Sequence, residues 1–252
     1  AKGAQGQTAQ TPTLLGEQLW EQGIWPTCEK AGELALKTPA IQGFHMDFEQ
    51  YAYPLWHDNG WSFDDDTFNV FLATQDASVH SFFQDIPQSR RFDELVDNHL
   101  LETYFNSLEQ RAYEYGKVCR ESAEAVAPHL YFSVYLPGFP SSWFYRGLLR
   151  GLGTPEKPVI VMSFNAWSKD ARQQLNEAGV SMLHLGGTLT QYWEPNIFGQ
   201  VLQETATHTD GYWFLSVDDL TAAYDNSSRL HGEKPKFWQA IQQANETTLG
   251  FD

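Results

Sequence analysis

The chain has 252 residues, 42% of them hydrophobic, so it can bury one core of about the size of a single α/β barrel, and a wholly disordered chain is excluded. Its 32 acidic residues outnumber its 16 lysines and arginines, and the net charge of −16 disfavours binding to nucleic acid or to anionic membranes. No apolar run approaches the roughly 20 residues of a membrane-spanning helix. Aromatic residues make up 15% and favour stacking on neutral or cationic ligands, although core packing accounts for most of them.

The amino-terminal residues predict an irregular segment followed by a helix. Residues 1–13 are rich in Gly, Gln and Thr, which is typical of a flexible linker or loop, and we expect residues 14–252 to form the folded domain. Residues 14–36 have a mostly helical pattern that is interrupted around Gly23 and Pro26. We expect a secreted or periplasmic protein, although the first residues contain no signal-peptide pattern.

Five short apolar runs, each ended by a polar residue or by Gly or Pro, predict β-strands. They are almost continuous in apolar character, which is typical of strands buried in a parallel sheet. Helical patterns alternate with them, and the longest is long enough to bend or break. The strand runs are residues 41–49, 129–136, 159–165, 180–186 and 211–217, and the helical patterns are residues 92–126, 169–178, 196–205 and 235–245.

The alternation of strands and helices predicts an α/β fold with a parallel sheet and right-handed crossovers. A closed (β/α)8 TIM-type barrel needs eight strands, and five are found. We favour such a barrel, of which this chain holds the five carboxyl-terminal strands, four to eight. Strands one to three then lie upstream or come from an associated chain segment. The alternative is an open five-stranded α/β domain that acts through protein partners.

Residues 50–89 form the longest predicted connection between a strand and a helix. Loops of more than about 12–15 residues are usually functional or disordered, and the aromatic residues of this one argue against disorder. We expect a lid-like loop over the carboxyl end of the sheet.

Three polar residues alternate along the first predicted strand. His45, Asp47 and Glu49 share one face of the strand, while Phe44 and its apolar neighbours share the other. Two carboxylates in a buried strand raise the pKa of one of them, as a general acid requires. A purely structural role at the strand end is the alternative. A metal site is disfavoured because the three positions span about 13 Å.

These residues resemble the chitinase-like, family 18 glycoside hydrolases. Those TIM barrels carry D-G-x-D-x-D-x-E at the fourth strand, M-x-Y-D at the sixth and a Trp-containing segment at the eighth. Here residues 42–49 are QGFHMDFE, residues 162–165 are MSFN, and residues 211–219 contain Trp213. The order agrees with the strand count, and the resemblance covers roughly residues 40–245. It implies that Glu49 is the proton donor and Asp47 its partner carboxylate.

The chain also departs from the family pattern. Two acidic positions of the family are Gln42 and His45. The Tyr-Asp pair that supports the substrate N-acetyl group is Phe164-Asn165, and the family's Trp falls at Leu215. The resemblance therefore favours a barrel glycosidase over a chitinase.

Without the N-acetyl route, hydrolysis needs a second protein carboxylate. It would lie about 5–5.5 Å from the first for retention, or 6.5–9.5 Å for inversion. Glu194 lies among aromatic residues, and Asp218 follows the last strand, so these two rank equally. Asp218 is as well suited to cap the following segment. Asp58 and Asp219 also fall at the predicted carboxyl end.

Aromatic and polar residues near the strand ends are candidates for sugar binding. Rings stack on the C–H faces of sugars, and His or Asn binds hydroxyl groups; core packing is the alternative for each ring. Trp167 and Trp193 are favoured because they follow strands. The candidate substrate-binding residues are His45, Tyr51, Tyr135, Asn165, Trp167, His184, Trp193 and Trp213.

Two cysteines, Cys28 and Cys119, are too few for a disulfide scaffold and lack metal-ligand spacing. We favour two buried thiols over one bridge between neighbouring helices. Nucleotide-binding and serine-nucleophile motifs are also lacking, so no cofactor is expected.

The sequence therefore predicts a glycoside hydrolase that cleaves an oligo- or polysaccharide with a carboxylate general acid at the end of barrel strand four. The alternative is a non-hydrolytic carbohydrate-binding barrel that has lost catalysis.

Overall fold

The sheet is the centre of the fold. The computed structural model describes residues 2–4, 8, 13–47, 62–221 and 229–249. Five strands form one all-parallel sheet in the order β1-β2-β3-β4-β5, which confirms the predicted α/β class and the place of all five strands. The strands are β1 Gly43–Asp47, β2 Tyr131–Tyr135, β3 Val159–Ser163, β4 Met182–Leu189 and β5 Gly211–Leu215.

Helices precede, separate and follow the strands. Gly179, with φ of +84°, lies just after the end of α8, where a left-handed glycine commonly terminates a helix. The helices are α1 Glu17–Leu19, α2 Trp25–Lys37, α3 Asp65–Leu72, α4 Ala77–Gln84, α5 Arg91–Asp97, α6 Leu101–Glu124, α7 Trp143–Leu152, α8 Lys169–Glu177, α9 Pro195–His208 and α10 Lys234–Leu249. Of these, none is both long enough and apolar enough to cross a membrane.

The hydrogen-bond register gives the sheet two unlike faces, because successive side chains point to opposite sides. One face is buried and mostly apolar, as at Val134 and Val161. The other, which we call the open face, carries side chains that are mostly exposed or half-buried. Its members are His45, Asp47, Tyr131, Ser133, Tyr135, Ile160, Met162, Leu183, Leu185, Gly187, Leu189, Trp213 and Leu215.

The order of the strands explains why helices pack on the buried face. Each strand lies beside the next one in the chain, and right-handed crossovers between such strands place the connecting helices on one side of the sheet. Helix α9, for example, packs against β4, where a Cβ atom at Gly186 would lie 2.4 Å from Thr205 Cγ2. The open face therefore points away from this helix.

Helix α7 packs very closely against α6 and has no counterpart among the predicted helices. A Cβ atom at Gly147 would lie 2.2 Å from the Glu109 carbonyl oxygen, and one at Gly151 would lie 2.3 Å from the Tyr113 carbonyl oxygen. Arg146 of α7 donates two hydrogen bonds to the Glu109 carboxylate across the same interface. Glycine at these two positions lets the helix backbones touch.

Both predicted irregularities in the helices are present. The pattern of residues 14–36 is interrupted by a π-helical turn, Trp20–Ile24, rather than by a loop. The pattern of residues 92–126 is broken between α5 and α6, where His99 has a φ of +56°.

The predicted loop at residues 50–89 is wrong for residues 62–89, which contain α3 and α4. Asp64 caps α3 by accepting from the Thr67 amide, and Asp76 caps α4 in the same way. Phe68 of α3 is fully buried and packs against Tyr104 of α6, with ring centroids 5.6 Å apart. Residues 50–61 lie outside the described part of the chain.

The predicted linker at residues 1–13 is attached to the domain where the structure describes it. The Lys2 carbonyl oxygen accepts a hydrogen bond from the Phe63 amide at 3.1 Å, and Lys2 forms a bridge to Thr8. Gly3 is buried, and Ala4 packs against the core. These residues are therefore part of the folded domain.

We expect Gly147→Ala to lower the free energy of unfolding by about 2–3 kcal/mol, because the new methyl group overlaps the Glu109 carbonyl and forces α7 away from α6. Urea denaturation measures the change. Gly23→Ala is the matched control, since a Cβ atom there meets nothing within 4 Å, and it should be neutral or slightly stabilising. Equal effects of the two substitutions would contradict the close helix contact.

Candidate functional site

The polar part of the candidate site lies on the open face where β1 and β2 end. The register pairs His45 with Ser133 and Asp47 with Tyr135. A hydrogen bond of 2.8 Å joins His45 Nδ1 and Ser133 Oγ. His45 and Asp47 are exposed, so an imidazole and a carboxylate on one strand are accessible from the open face. This is the face on which the sequence predicted them to lie together.

The His45 side chain is better suited to hydrogen bonding than to carrying a positive charge. Partial burial of the ring lowers the pKa of His45, and the nearby Asp47 carboxylate opposes this shift only in part. The imidazole is therefore neutral near pH 7, and each of its two ring nitrogens can take one role, donor or acceptor. Such a group can bind the hydroxyl groups of an uncharged ligand.

Three rings, which we call the aromatic cluster, adjoin this polar pair. They are Tyr135, Phe164 and Trp213. The ring centroids of Phe164 and Trp213 are 4.7 Å apart, and Tyr135 lies 5.8 Å from Phe164 and 5.7 Å from Trp213. Trp213 Nε1 donates to the Ser163 carbonyl oxygen at 3.2 Å, which fixes the indole. Phe164 is 38% exposed, so the cluster presents an apolar surface to solvent.

A cavity of about 570 Å³, which we call the slot, opens beside the aromatic cluster. Strand β4 and helix α9 supply most of its lining, and Phe164 is the member of the aromatic cluster that borders it. Trp193 lines the slot and donates from Nε1 to Thr188 Oγ1 at 2.7 Å. The slot is lined by Phe164, Ala166, Gly187, Thr188, Leu189, Tyr192, Trp193, Val201, Glu204, Thr205 and His208.

Two consecutive glycines of β4 are packed from opposite sides. A Cβ atom at Gly187 would lie 2.2 Å from Trp213 Cε2 on the open face. A Cβ atom at Gly186 would overlap Thr205 of α9 on the buried face. Trp213 therefore lies directly on the backbone of the neighbouring strand.

His184 and Trp167, both predicted to bind substrate, lie on the other side of the sheet. Their rings stack with centroids 4.1 Å apart and an interplanar angle of 15°. His184 is fully buried, and its Nε2 lies 2.9 Å from Ser163 Oγ. The structure thus places these two residues in the core, apart from the open face. Asn165 follows β3 and is exposed, and its carbonyl oxygen accepts from Ser163 Oγ at 2.7 Å.

The carboxylates predicted from the sequence are not all brought together. Asp218 lies in a cavity of about 270 Å³ that is also lined by Leu215 of the open face. Asp219 lines the same cavity and accepts a hydrogen bond from Thr190 Oγ1 at 3.3 Å. Glu194 lies instead in a separate cavity of about 600 Å³ between α9 and α10, with Lys236. Glu49, Tyr51 and Asp58 lie outside the described residues.

Three residues of this region escaped the sequence prediction of the site. Ser133 is two residues before Tyr135, so pairing the first two predicted strands would have placed it beside His45. Phe164 was noted as a replacement of a family residue, yet it joins the aromatic cluster to the slot. Tyr192, beside Trp193, is also strongly exposed at the slot.

No protein-family model matches the chain, and no curated protein or solved structure matches it significantly. Within the described ranges, no group of three or more His, Cys, Asp or Glu residues could hold a metal ion. The side chains of the open face and their geometry are therefore the basis for proposing a function.

Burial lowers the pKa of His184 to about 4, and the positive charge of Arg172 adds to this shift. The unfolded chain binds a proton near pH 6.5 and the folded chain only near pH 4, so stability falls as the pH is lowered through this range. We expect a loss of about 3 kcal/mol from this group.

Urea denaturation at pH 7 and at pH 4 tests this expectation in His184→Asn. The variant should lose about 3 kcal/mol less than the wild type over this interval, since it lacks the titrating group. Gln174→Asn, at an exposed position of α8, is the control and should keep the wild-type dependence, because it removes no titrating group. An unchanged pH dependence in His184→Asn would show that the ring is not held neutral by the core.

Proposed function

We propose that the protein is a glycoside hydrolase whose substrate binds across the open face at the carboxyl ends of the strands. One observation carries the proposal. An accessible carboxylate, Asp47, and the aromatic cluster lie at the same edge of a parallel sheet, on the same face. Ligand sites of parallel α/β proteins form at this edge.

The strand order supports a (β/α)8 barrel as the complete architecture. In doubly wound sheets the order reverses at a switch point and helices cover both faces. Here the order is consecutive, and Tyr131 and Leu183 of the open face are more than a third exposed. Parallel sheets are normally covered on both sides, so additional strands that pair with β1 and β5 would turn the open face into a barrel interior.

The side chains of the open face suit a sugar. Aromatic rings provide flat apolar surface for the C–H face of a pyranose, and Phe164 and Trp213 offer two such rings. His45 and Ser133 offer hydrogen-bonding groups for hydroxyls. The net charge of −16 favours a neutral or cationic glycan over an acidic one.

In the proposed mechanism Glu49 protonates the glycosidic oxygen as a general acid, and Asp47 holds the proton of Glu49 in place and stabilises the developing positive charge. Asp218 is favoured as the second carboxylate, because its cavity adjoins Leu215 at the end of the open face. Glu194 ranks lower, because its cavity lies between α9 and α10.

A second candidate function is carbohydrate binding without hydrolysis. Phe164 lacks the hydroxyl group that the resembled family has at this position, and its ring packs on Trp213 instead. That arrangement suits stacking of the Phe164 ring on a bound sugar better than support of a reacting N-acetyl group. Binding of an oligosaccharide without release of new reducing ends would select this alternative.

The first test measures reducing ends released from a panel of soluble oligosaccharides. Glu49→Gln should lower the rate by about 10²–10⁴-fold, because an amide cannot donate the proton, and it should leave the melting temperature unchanged. Glu177→Gln, at an exposed position of α8, is the control and should keep full activity. Full activity of Glu49→Gln would remove Glu49 from the mechanism, and no binding or cleavage of any glycan would overturn both candidate functions.

The second test concerns binding and is independent of the acid. Trp213→Ala should weaken oligosaccharide binding in calorimetry by roughly 10-fold or more, because it removes a ring of the aromatic cluster. Trp238→Ala is the matched control, since Trp238 is an exposed indole on α10. Equal losses in the two variants would argue against binding at the open face.

A further inference from the structure

Helices α2 and α6 touch along a line of three successive contacts. At the first, Trp25 Nε1 donates to the Tyr115 carbonyl oxygen at 3.3 Å. At the last, a Cβ atom at Gly32 would lie 2.9 Å from the Ala123 carbonyl oxygen and 3.3 Å from Ala123 Cα. The two helix backbones therefore approach closely over about two turns.

Cys28 and Cys119 form the middle contact, between the Trp25–Tyr115 contact and the Gly32–Ala123 contact. Cys28 lies between Trp25 and Gly32 at helical spacing, and Cys119 lies one turn after Tyr115 and one turn before Ala123. Both residues are free thiols and fully buried, and the neighbouring Cys28 side chain raises the pKa of Cys119.

We propose that Cys28 and Cys119 are a disulfide site, closed while the chain folds by exchange with a disulfide oxidant, and that the bond cross-links α2 to α6. A disulfide needs Cα atoms about 4.4–6.8 Å apart and facing Cβ atoms. The close approach of Gly32 to Ala123, one turn further along both helices, supports a backbone separation of this size at the cysteines.

The exchange balances in two steps. The thiolate of one cysteine attacks the oxidant disulfide, forms a mixed disulfide and releases one oxidant thiol. The second cysteine, as thiolate, attacks its partner's sulfur in the mixed disulfide, closes the Cys28–Cys119 bond and releases the second oxidant thiol. The two cysteines are oxidised by two electrons, the oxidant disulfide is reduced to two thiols, and the two cysteine protons pass to solvent or to the released thiolates.

The bond forms during folding because the folded interface protects both thiols. Neither side chain is exposed, so a reagent cannot reach the sulfurs until α2 detaches. The neighbouring Cys28 side chain, together with burial, raises the pKa of Cys119, and a neutral thiol is a poor nucleophile. The cross-link is thus a structural bond made once, which distinguishes it from a fast redox switch.

The experiment refolds the whole chain from denaturant with a mixture of oxidised and reduced glutathione. We expect a product about 2 Da lighter than the reduced chain, with a Cys28–Cys119 peptide on mapping. Its melting temperature should exceed that of the reduced chain by roughly 5–15 °C, because the bond closes a loop of about 90 residues in the unfolded state. Adding reductant under denaturing conditions should reverse both changes.

Cys28→Ala and Cys28→Ser are matched controls, and the second keeps the side-chain size. Either variant, refolded in the same way, should lose no mass, and its melting temperature should not depend on the oxidant. Adding glutathione disulfide to the folded, reduced wild type should form the bond at least 10-fold more slowly than refolding does. A refolded native chain that stays reduced, a stable glutathione adduct in place of the bond, or a bond that lowers the melting temperature would overturn the proposal.

Discussion

The register of the parallel sheet is the constraint on which the rest of the structure depends. Side chains alternate with a period of two, so a slip of one residue between β1 and β2 would turn every side chain of β1 to the opposite face of the sheet. Met46 would then face the open side, and Asp47 would be buried among apolar side chains at a cost of several kcal/mol. The same register therefore buries the core side chains and exposes those of the candidate site.

The helix layer makes this register unambiguous because it buries one face and leaves the other accessible. Helix α7 lies against α6 at backbone contact, and the Glu109 carboxylate accepts from both Arg146 and Arg150 across that interface. The pairing compensates the charge of a largely buried carboxylate. A dense layer of this kind excludes water from the residues beneath it, whereas the opposite face keeps neutral and charged polar groups in solvent.

Much of the fold was predictable because apolar strands alternate with helices in a simple pattern. Helix α7 was missed because Gly147 and Gly151 each lower helix propensity by about 1 kcal/mol, and the reason for them is a tertiary contact. The helices after residue 62 were not predicted because Asp is common both in loops and at helix N-termini, and here Asp64 and Asp76 cap α3 and α4.

The candidate site was predictable where one strand alternates polar and apolar residues, as β1 does at His45 and Asp47. The orientation of His184 was not predictable, because β4 reverses the usual rule: its leucines, such as Leu183, lie on the open face, whereas the polar His184 and Thr188 are buried against the helices. Phe164 and Trp213 are recognisable in the sequence as aromatic residues near strand ends, but their contact with Tyr135 depends on how the strands pack side by side.

The consecutive glycines of β4 have a consequence for the divergence of this protein. Trp213 lies on Gly187 from one side and Thr205 lies on Gly186 from the other, so at this point the sheet is only as thick as the peptide backbone. A side chain at Gly187 or Gly186 needs the space that Trp213 or Thr205 now fills. Substitutions of Trp213 and Thr205 by smaller residues should therefore precede any replacement of the glycines, and the order of those events can be read in a lineage that has kept the sheet and changed its ligand.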